Sequence, residues 1–475
     1  MRNTRAVWIV LLLLFSMESV LSQPPDTLWT WVHSELYDTQ GNDLVEALNG
    51  DIVVAGLVDV SLISNAYLAK FTSGGDTVWT RAYRESDSAI VANGVVQALN
   101  DRFYFCGTGI HPSSAPVPYV AKIDSDGTVL WHRTFPGSQI GYSITTTHDG
   151  GCVFVASGFG PTLLFRLDAM GDTIWTRQHE YSVISDYRHV RQTADGGFIL
   201  FGSEWDFDLA LQLALLKVNS EGDTLWRRRY GGVGSDWRGG FDLCADGGFI
   251  MSGMRERLDG SGLWDMVVAR ADSMGNEQWF RYYGGGREGA NAVRALSNGD
   301  YIVAGSTTTY GHQGRDIYLL ALDSDGDSLW SVAYGWAGSD YALAAKETHD
   351  GGLVLTGVSN NAKTGYRNLY VLRTATLTDV GDAGASLAPY APFHQNYPNP
   401  FNSTTQIEFT LPSTQRVSLR LYDVLGREVA VMMNAIQTAG RHQMMFDASG
   451  LPSGVYLCRL EAGEMAQTRK MVLVK

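Results

Sequence analysis

The chain has 475 residues, with 53 glycines, 13 tryptophans and 45% hydrophobic residues against 18% charged. That balance excludes a disordered chain and suits a β-rich globular one, and the length exceeds what one ordinary core organises without repeats. A formal net charge of −14 argues against nucleic acid and anionic membrane surfaces as partners, because both are held through cationic patches.

Residues 1–22 read as a signal peptide. Arg2 and Arg5 precede an apolar run over residues 6–15, and Val20-Leu21-Ser22 offers a cleavage site before Gln23. The run is too short for a stable membrane span, and no cysteine follows it to carry a lipid anchor. The mature chain is expected outside the cytoplasm, secreted or on the cell surface.

From there the chain spells versions of Gly-Asp-Thr-(aliphatic)-Trp. The tryptophans are Trp29, Trp79, Trp131, Trp175, Trp226, Trp279 and Trp330, spaced by 50, 52, 44, 51, 53 and 51 residues. A fixed period of this size marks a repeat architecture. Each unit contains four short runs rich in β-branched and aromatic residues, bounded by turn formers. Asn49-Gly-Asp51, Asp149-Gly-Gly151, Asp195-Gly-Gly197, Asp246-Gly-Gly248 and Asp350-Gly-Gly352 supply the φ > 0 turns that tight hairpins require. Four antiparallel strands repeated in this way predict an all-β fold, a seven-bladed β-propeller over residues 23–374. The first Trp strand, residues 26–33, has no strands before it, and the last unit ends at Tyr370-Val-Leu-Arg373 without a Trp strand. The two are expected to share one blade and close the ring. The repeated Trp is expected to pack blade on blade.

Lys122-Ile-Asp-Ser-Asp-Gly-Thr-Val-Leu-Trp131 and Arg166-Leu-Asp-Ala-Met-Gly-Asp-Thr-Ile-Trp175 resemble quinoprotein-like propeller repeats. The resemblance implies architecture only. Those enzymes usually have eight blades and often adjacent cysteines, and this chain has neither, so no cofactor is expected. Asp124-Ser-Asp126-Gly127 and Asp323-Ser-Asp325-Gly326 look like calcium loops, but position twelve is Phe135 or Tyr334, and both read as hairpin turns. No metal site and no catalytic triad or metalloprotease motif is read, and Gly284-Gly-Gly286 lacks the context of a phosphate loop. Cys106, Cys152, Cys244 and Cys458 are expected as free thiols.

The loops entering each unit carry acids and aromatics: Asp186, Tyr187, Asp236, Trp237, Glu288, Asp340 and Tyr341. With Trp205 and Tyr310 they form a candidate ligand-binding rim at one mouth of the channel. The plainer reading is that each acid caps its own turn.

Residues 375–392, rich in Ala, Gly and Pro, read as a linker, and 393–475 as a small immunoglobulin-like β-sandwich. Asn396-Tyr397-Pro398-Asn399-Pro400-Phe401-Asn402, then Tyr422-Asp-Val-Leu-Gly426-Arg-Glu-Val429, Gly454-Val-Tyr456 and the terminal Lys470-Met-Val-Leu-Val-Lys475 resemble, in order, the type A C-terminal sorting domain of the type IX secretion system. The resemblance implies passage through the outer membrane of a Bacteroidetes-like bacterium by that machinery, usually with removal of the domain. Ser403 stands where that family commonly has proline. The propeller is then read as a binding or adhesion module, with a surface glycan or a protein as its partner. The competing readings are an extracellular glycosidase, lyase or quinoprotein acting at the channel mouth, and a surface-layer component.

Overall fold

The computed structural model describes residues 27–377 and 401–474, apart from short stretches between strands and at turns. The expected signal peptide, most of the expected linker, Asn396 to Pro400, Gly426 and Lys475 lie outside the described residues.

Among the described residues the chain is strand and turn throughout. Seven four-stranded antiparallel blades follow one another, with inner strands Thr39–Glu46, Ala89–Gln97, Gln139–Thr146, Ser185–Gln192, Asp236–Leu243, Gly289–Ala295 and Gly338–Glu347. They are called blades 1 to 7 in that order. The fourth strand of blade 7 comes from the other end of the propeller: Thr27–Val32 pairs antiparallel with Arg367–Thr374, Trp31 opposite Val371. A short parallel pairing of Gly314 and Arg315 with Gly338 and Ser339 joins blades 6 and 7.

Each blade is apolar on both faces, so the core is divided. Seven clusters lie between neighbouring blades, one for each junction in the ring, including blade 7 against blade 1 through Val354, Val371, Leu44 and Phe71. A closed ring follows from this division, because an open one would leave two apolar faces in water.

The repeated motif is a latch between blades. Its glycine has a left-handed backbone, φ +85° at Gly171 and +81° at Gly222, which suits the turn. It also carries the Trp of the preceding copy. A Cβ at Gly75, Gly127, Gly171, Gly222, Gly275 or Gly326 would come within 2.7–3.3 Å of that ring. Trp29, Trp79, Trp131, Trp175 and Trp279 also donate Nε1–H to a carbonyl in the same turn at 2.8–3.2 Å. Two residues after the Trp, Arg133, Arg177 and Arg281 reach Asp172, Asp223 and Asp327 beside the receiving glycine, at 3.8, 3.4 and 2.5 Å. The guanidinium groups of Arg81, Arg133, Arg177 and Arg228 lie 5.5–5.9 Å from their own Trp ring centroids, within cation–π range. In the copies of Trp131, Trp175 and Trp279, Trp-x-Arg thus docks on Gly-Asp of the next. Among the described residues no following hairpin receives Trp330, because blade 7 is completed by the N-terminal strand. Leu377 joins its cluster instead and donates its N–H to Gly351.

In the C-terminal region, Thr404–Leu411 pairs with Gly440–Asp447, and Glu428–Gln437, Gln415–Asp423, Gly454–Ala462 and Met465–Leu473 form a second sheet in that order. One apolar core joins them, with Phe401, Phe409, Leu419, Tyr456, Leu460 and Leu473 among its members. Phe401 is held to the last strand by backbone bonds to Val472 and Val474, each 2.9 Å. Gly454 faces Leu473 across its ladder, and Lys470 pairs with Leu457. Ser403 has φ +58°, a conformation that a proline ring forbids.

Candidate functional site

The inner strands share one irregularity. Each has a β-bulge at the same level, at Asn42, Asn93, Tyr142, Arg188, the Gly239-Gly240 pair, Asn291 and Leu343. A bulge re-aims the residues around it and leaves backbone groups to be satisfied elsewhere. Here they bond across blades: Asn42, Asn93 and Asn291 each donate Nδ2–H to a carbonyl of the next inner strand at 2.8 Å.

Below the bulges, all seven inner strands surround a central cavity of about 270 Å³. Its wall differs from side to side. Blades 2 and 3 contribute the uncharged Val95, Val96, Ile144 and Thr145, whereas blades 4 to 7 contribute Arg191, Asp242, Arg294 and Lys346. Asp43 of blade 1 and Glu347 of blade 7 also line it. The carboxylates are engaged by backbone: Asp43 accepts from the N–H of Leu44 and Val95, Asp242 from Ala295, and Glu347 from Ser297 N–H and Oγ–H. Arg191 donates to Val190 O and Ser143 Oγ, and Arg294 to Ala345 O and Phe241 O. Burial lowers the Lys346 ammonium from its ordinary range, and the facing Arg294 and Arg191 lower it further, against the pull of Asp43 and Asp242. Burial pushes His189 down to about 3, so its ring is neutral and Nε2–H donates to Gly239 O at 2.9 Å.

At the bulges and just above them, toward the mouth, Asp186 bridges Arg188 at 3.0 Å and Arg238 at 2.6 Å. The Arg188 guanidinium lies 4.1 Å from the Tyr142 ring centroid. Three neighbouring blades meet in this cluster.

The candidate rim residues separate into two groups. Tyr187, Asp236, Glu288 and Asp340 are buried. Tyr187 bonds Glu204 at 2.5 Å within the core, Asp236 is gripped by Arg255 of its own blade, and Glu288 accepts from Thr307 and Thr309 of its own blade. Burial pushes the Asp236 carboxyl up to about 6 against the opposing pull of Arg255. Trp205 and Trp237 are exposed, Tyr310 stacks on Tyr318, and Arg315 lies over Tyr341. Ser203 bonds Asp236 O and the N–H of Arg238, which places Trp205 and Trp237 at the same end of adjacent blades.

Register explains why Asp186 alone among the four acids joins the mouth cluster. Counted from the bulge, Asp236, Glu288 and Asp340 align with Ser185, one residue before Asp186. A shift of one residue in a strand turns the side chain to the other face.

Arg191, Asp242, Arg294 and Lys346 were not among the candidates read from sequence. The signal was a fixed offset: each lies four residues before the Asx of the inner turn, Asp195, Asp246, Asn298 and Asp350. Val45, Val96 and Thr145 occupy the same position in blades 1 to 3.

Residues 395–475 match the family model described as "Secretion system C-terminal sorting domain". No curated protein is similar to the chain in sequence. Among solved structures it is similar to a catalytically inactive virginiamycin B lyase from Staphylococcus aureus with quinupristin, at 11% identity and a TM-score of 0.50, over 73% of this chain and 99% of that one. A streptogramin B lyase gives 11% identity and a TM-score of 0.46 over 72% and 97%. A fungal alcohol oxidase in complex with copper gives 11% and 0.47 over 94% and 100%. The first likeness is one of propeller fold. The sorting domain marks the protein for export to the cell surface or secretion and implies interaction with the type IX secretion machinery. The chain is a β-propeller carried by a secretion-system sorting domain.

Proposed function

We propose that the exported propeller is a binding module that captures its ligand in the central channel, entering past Tyr142, Arg188 and Trp237. One observation supports this above all: the inner-strand position that varies most from blade to blade, Val45, Val96, Thr145, Arg191, Asp242, Arg294 and Lys346, converges on one central cavity. The bonds between blades make the site rigid, so a ligand meets a preformed cavity with little ordering cost. Trp237 and Trp205 supply stacking surface of the kind a sugar ring uses. The sorting domain delivers the module.

The test is a glycan screen on the purified full-length protein, with product analysis on every hit. The expected result is a saturable ligand recovered unchanged, with affinity lost in Trp237→Ala and Arg188→Ala. Recovery of a cleaved product that Asp186→Asn abolishes would replace the binding reading with the enzymatic one.

A further inference from the structure

We infer that the central cavity is an oxyanion site, with Lys346, Arg294 and Arg191 holding a carboxylate, sulfate or phosphate group of the ligand. This rests on the channel being the binding site, and it names the chemistry that the channel selects.

The lining carries acids as well as bases, so formal charge alone would not attract an anion. The three carboxylates differ from the three cations in having their oxygens directed to amide N–H groups, which hold the inner strands together. Among the described residues, no salt bridge within 4.0 Å joins Lys346, Arg294 or Arg191 to any of them. The two arginines rest on carbonyls and one hydroxyl, which orients them without neutralising them. Lys346 has no hydrogen-bond partner among the described residues.

An ammonium has three donors and no acceptor, so in a half-buried cavity it requires water or an anion. Three cations from blades 4, 6 and 7 converging on one space repel one another, and a shared anion relieves that repulsion through charge-assisted hydrogen bonds. The opposite wall, Val95, Val96, Ile144 and Thr145, carries no charge and suits a carbon skeleton attached to the anionic group. The cavity, of about 270 Å³, has room for a small acid or for the anionic group of a larger ligand.

The experiment is titration of full-length protein with sodium sulfate, sodium phosphate and sodium glucuronate at fixed ionic strength, read by calorimetry and by the thermal unfolding midpoint. Fixed ionic strength and low-millimolar anion keep general salting effects out of the comparison. Saturable binding of glucuronate above the two inorganic ions identifies a sugar acid as the source of the anion. The reverse order identifies a sulfate or phosphate group.

Lys346→Met is expected to weaken binding by about tenfold or more, which corresponds to the loss of one charge-assisted bond. Without anion, its unfolding midpoint should equal or exceed that of the wild type, because one repelling charge is gone; a purely structural lysine would lower it. Arg294→Gln tests the same site from blade 6, and Arg459→Gln, in the sorting domain, should change nothing. Should Lys346→Met fold poorly, Lys346→Gln provides the same readout with a neutral polar side chain. Equal affinity in wild type and Lys346→Met, or no saturable binding of any of the three anions, overturns the inference. If neutral glycans still bind in a Trp237-dependent way, only the anion assignment falls. If they do not, the channel reading falls with it.

Discussion

The outer and inner strands of the propeller descend from the same repeat and have diverged in opposite ways. On the outer strands the Trp recurs in every copy, and six of the seven seat on the glycine of the next hairpin, because each copy must fit its neighbour. On the inner strands the backbone is constant, with a bulge at one level in every blade, while the side chains vary from Val96 to Arg294. Where a repeat conserves side chains it is building contacts with itself; where it conserves only backbone it is free to address something else.

The largest effect is expected where the ring closes. Removing Thr27–Val32 leaves blade 7 with three strands and an open edge beside Arg367–Thr374. The expected outcome, measured by size exclusion and thermal unfolding, is loss of the monomeric native protein and edge-driven association. A stable monomer with an unchanged midpoint would show that the seven-junction ring does not depend on closure.

A single latch is the next largest effect. Trp175→Ala removes a buried ring, its bond to Ser220 O at 3.2 Å and its seat on Gly222. Truncation of a packed Trp costs about 3 kcal/mol, to be read from denaturant unfolding. Gly222→Ala, at φ +81° and against the same ring, should cost about 1–3 kcal/mol through backbone strain and contact. Neither variant should alter ligand affinity in the fraction that remains folded.

The inner turns give the smallest effect, and it depends on pH. Burial alone would raise the Asp195 carboxyl, but Lys217, Thr193 and the Gly197 N–H carry it down to about 2. Asp149, Asp246 and Asp350 are lowered in the same way. A depressed folded value means that the stabilisation is present above the unfolded value of about 4 and is lost as pH falls toward 2. Asp195 is largely exposed, so each pair is worth only about 0.2–1 kcal/mol. Unfolding midpoints between pH 5 and 2 should therefore fall less in Asp195→Asn than in the wild type, although its starting value is lower.

The ring was legible in the sequence because its signals are local and repeated: period, turn residues, and an unpaired strand at each end. The docking of one motif copy on the next was less legible, since it joins residues about 45 positions apart, as in Trp175 and Ser220. At the mouth the sequence misleads by one residue of register. Asp186 and Asp236 look equivalent when aligned on the aromatic that follows each, but the bulge shows them on opposite faces. The belt of Arg191, Arg294 and Lys346 stayed hidden because a single charge inside a strand reads as a solvated face. Only the ring brings the three together.

One measurement tests the division between latch and channel directly: glucuronate affinity in Trp131→Phe, an outer variant, against Lys346→Met, an inner one, each confirmed folded. The expected result is an affinity within about twofold of wild type for Trp131→Phe and a loss of about tenfold or more for Lys346→Met. The reverse pattern, with binding following the latch and indifferent to the channel lysine, would contradict it.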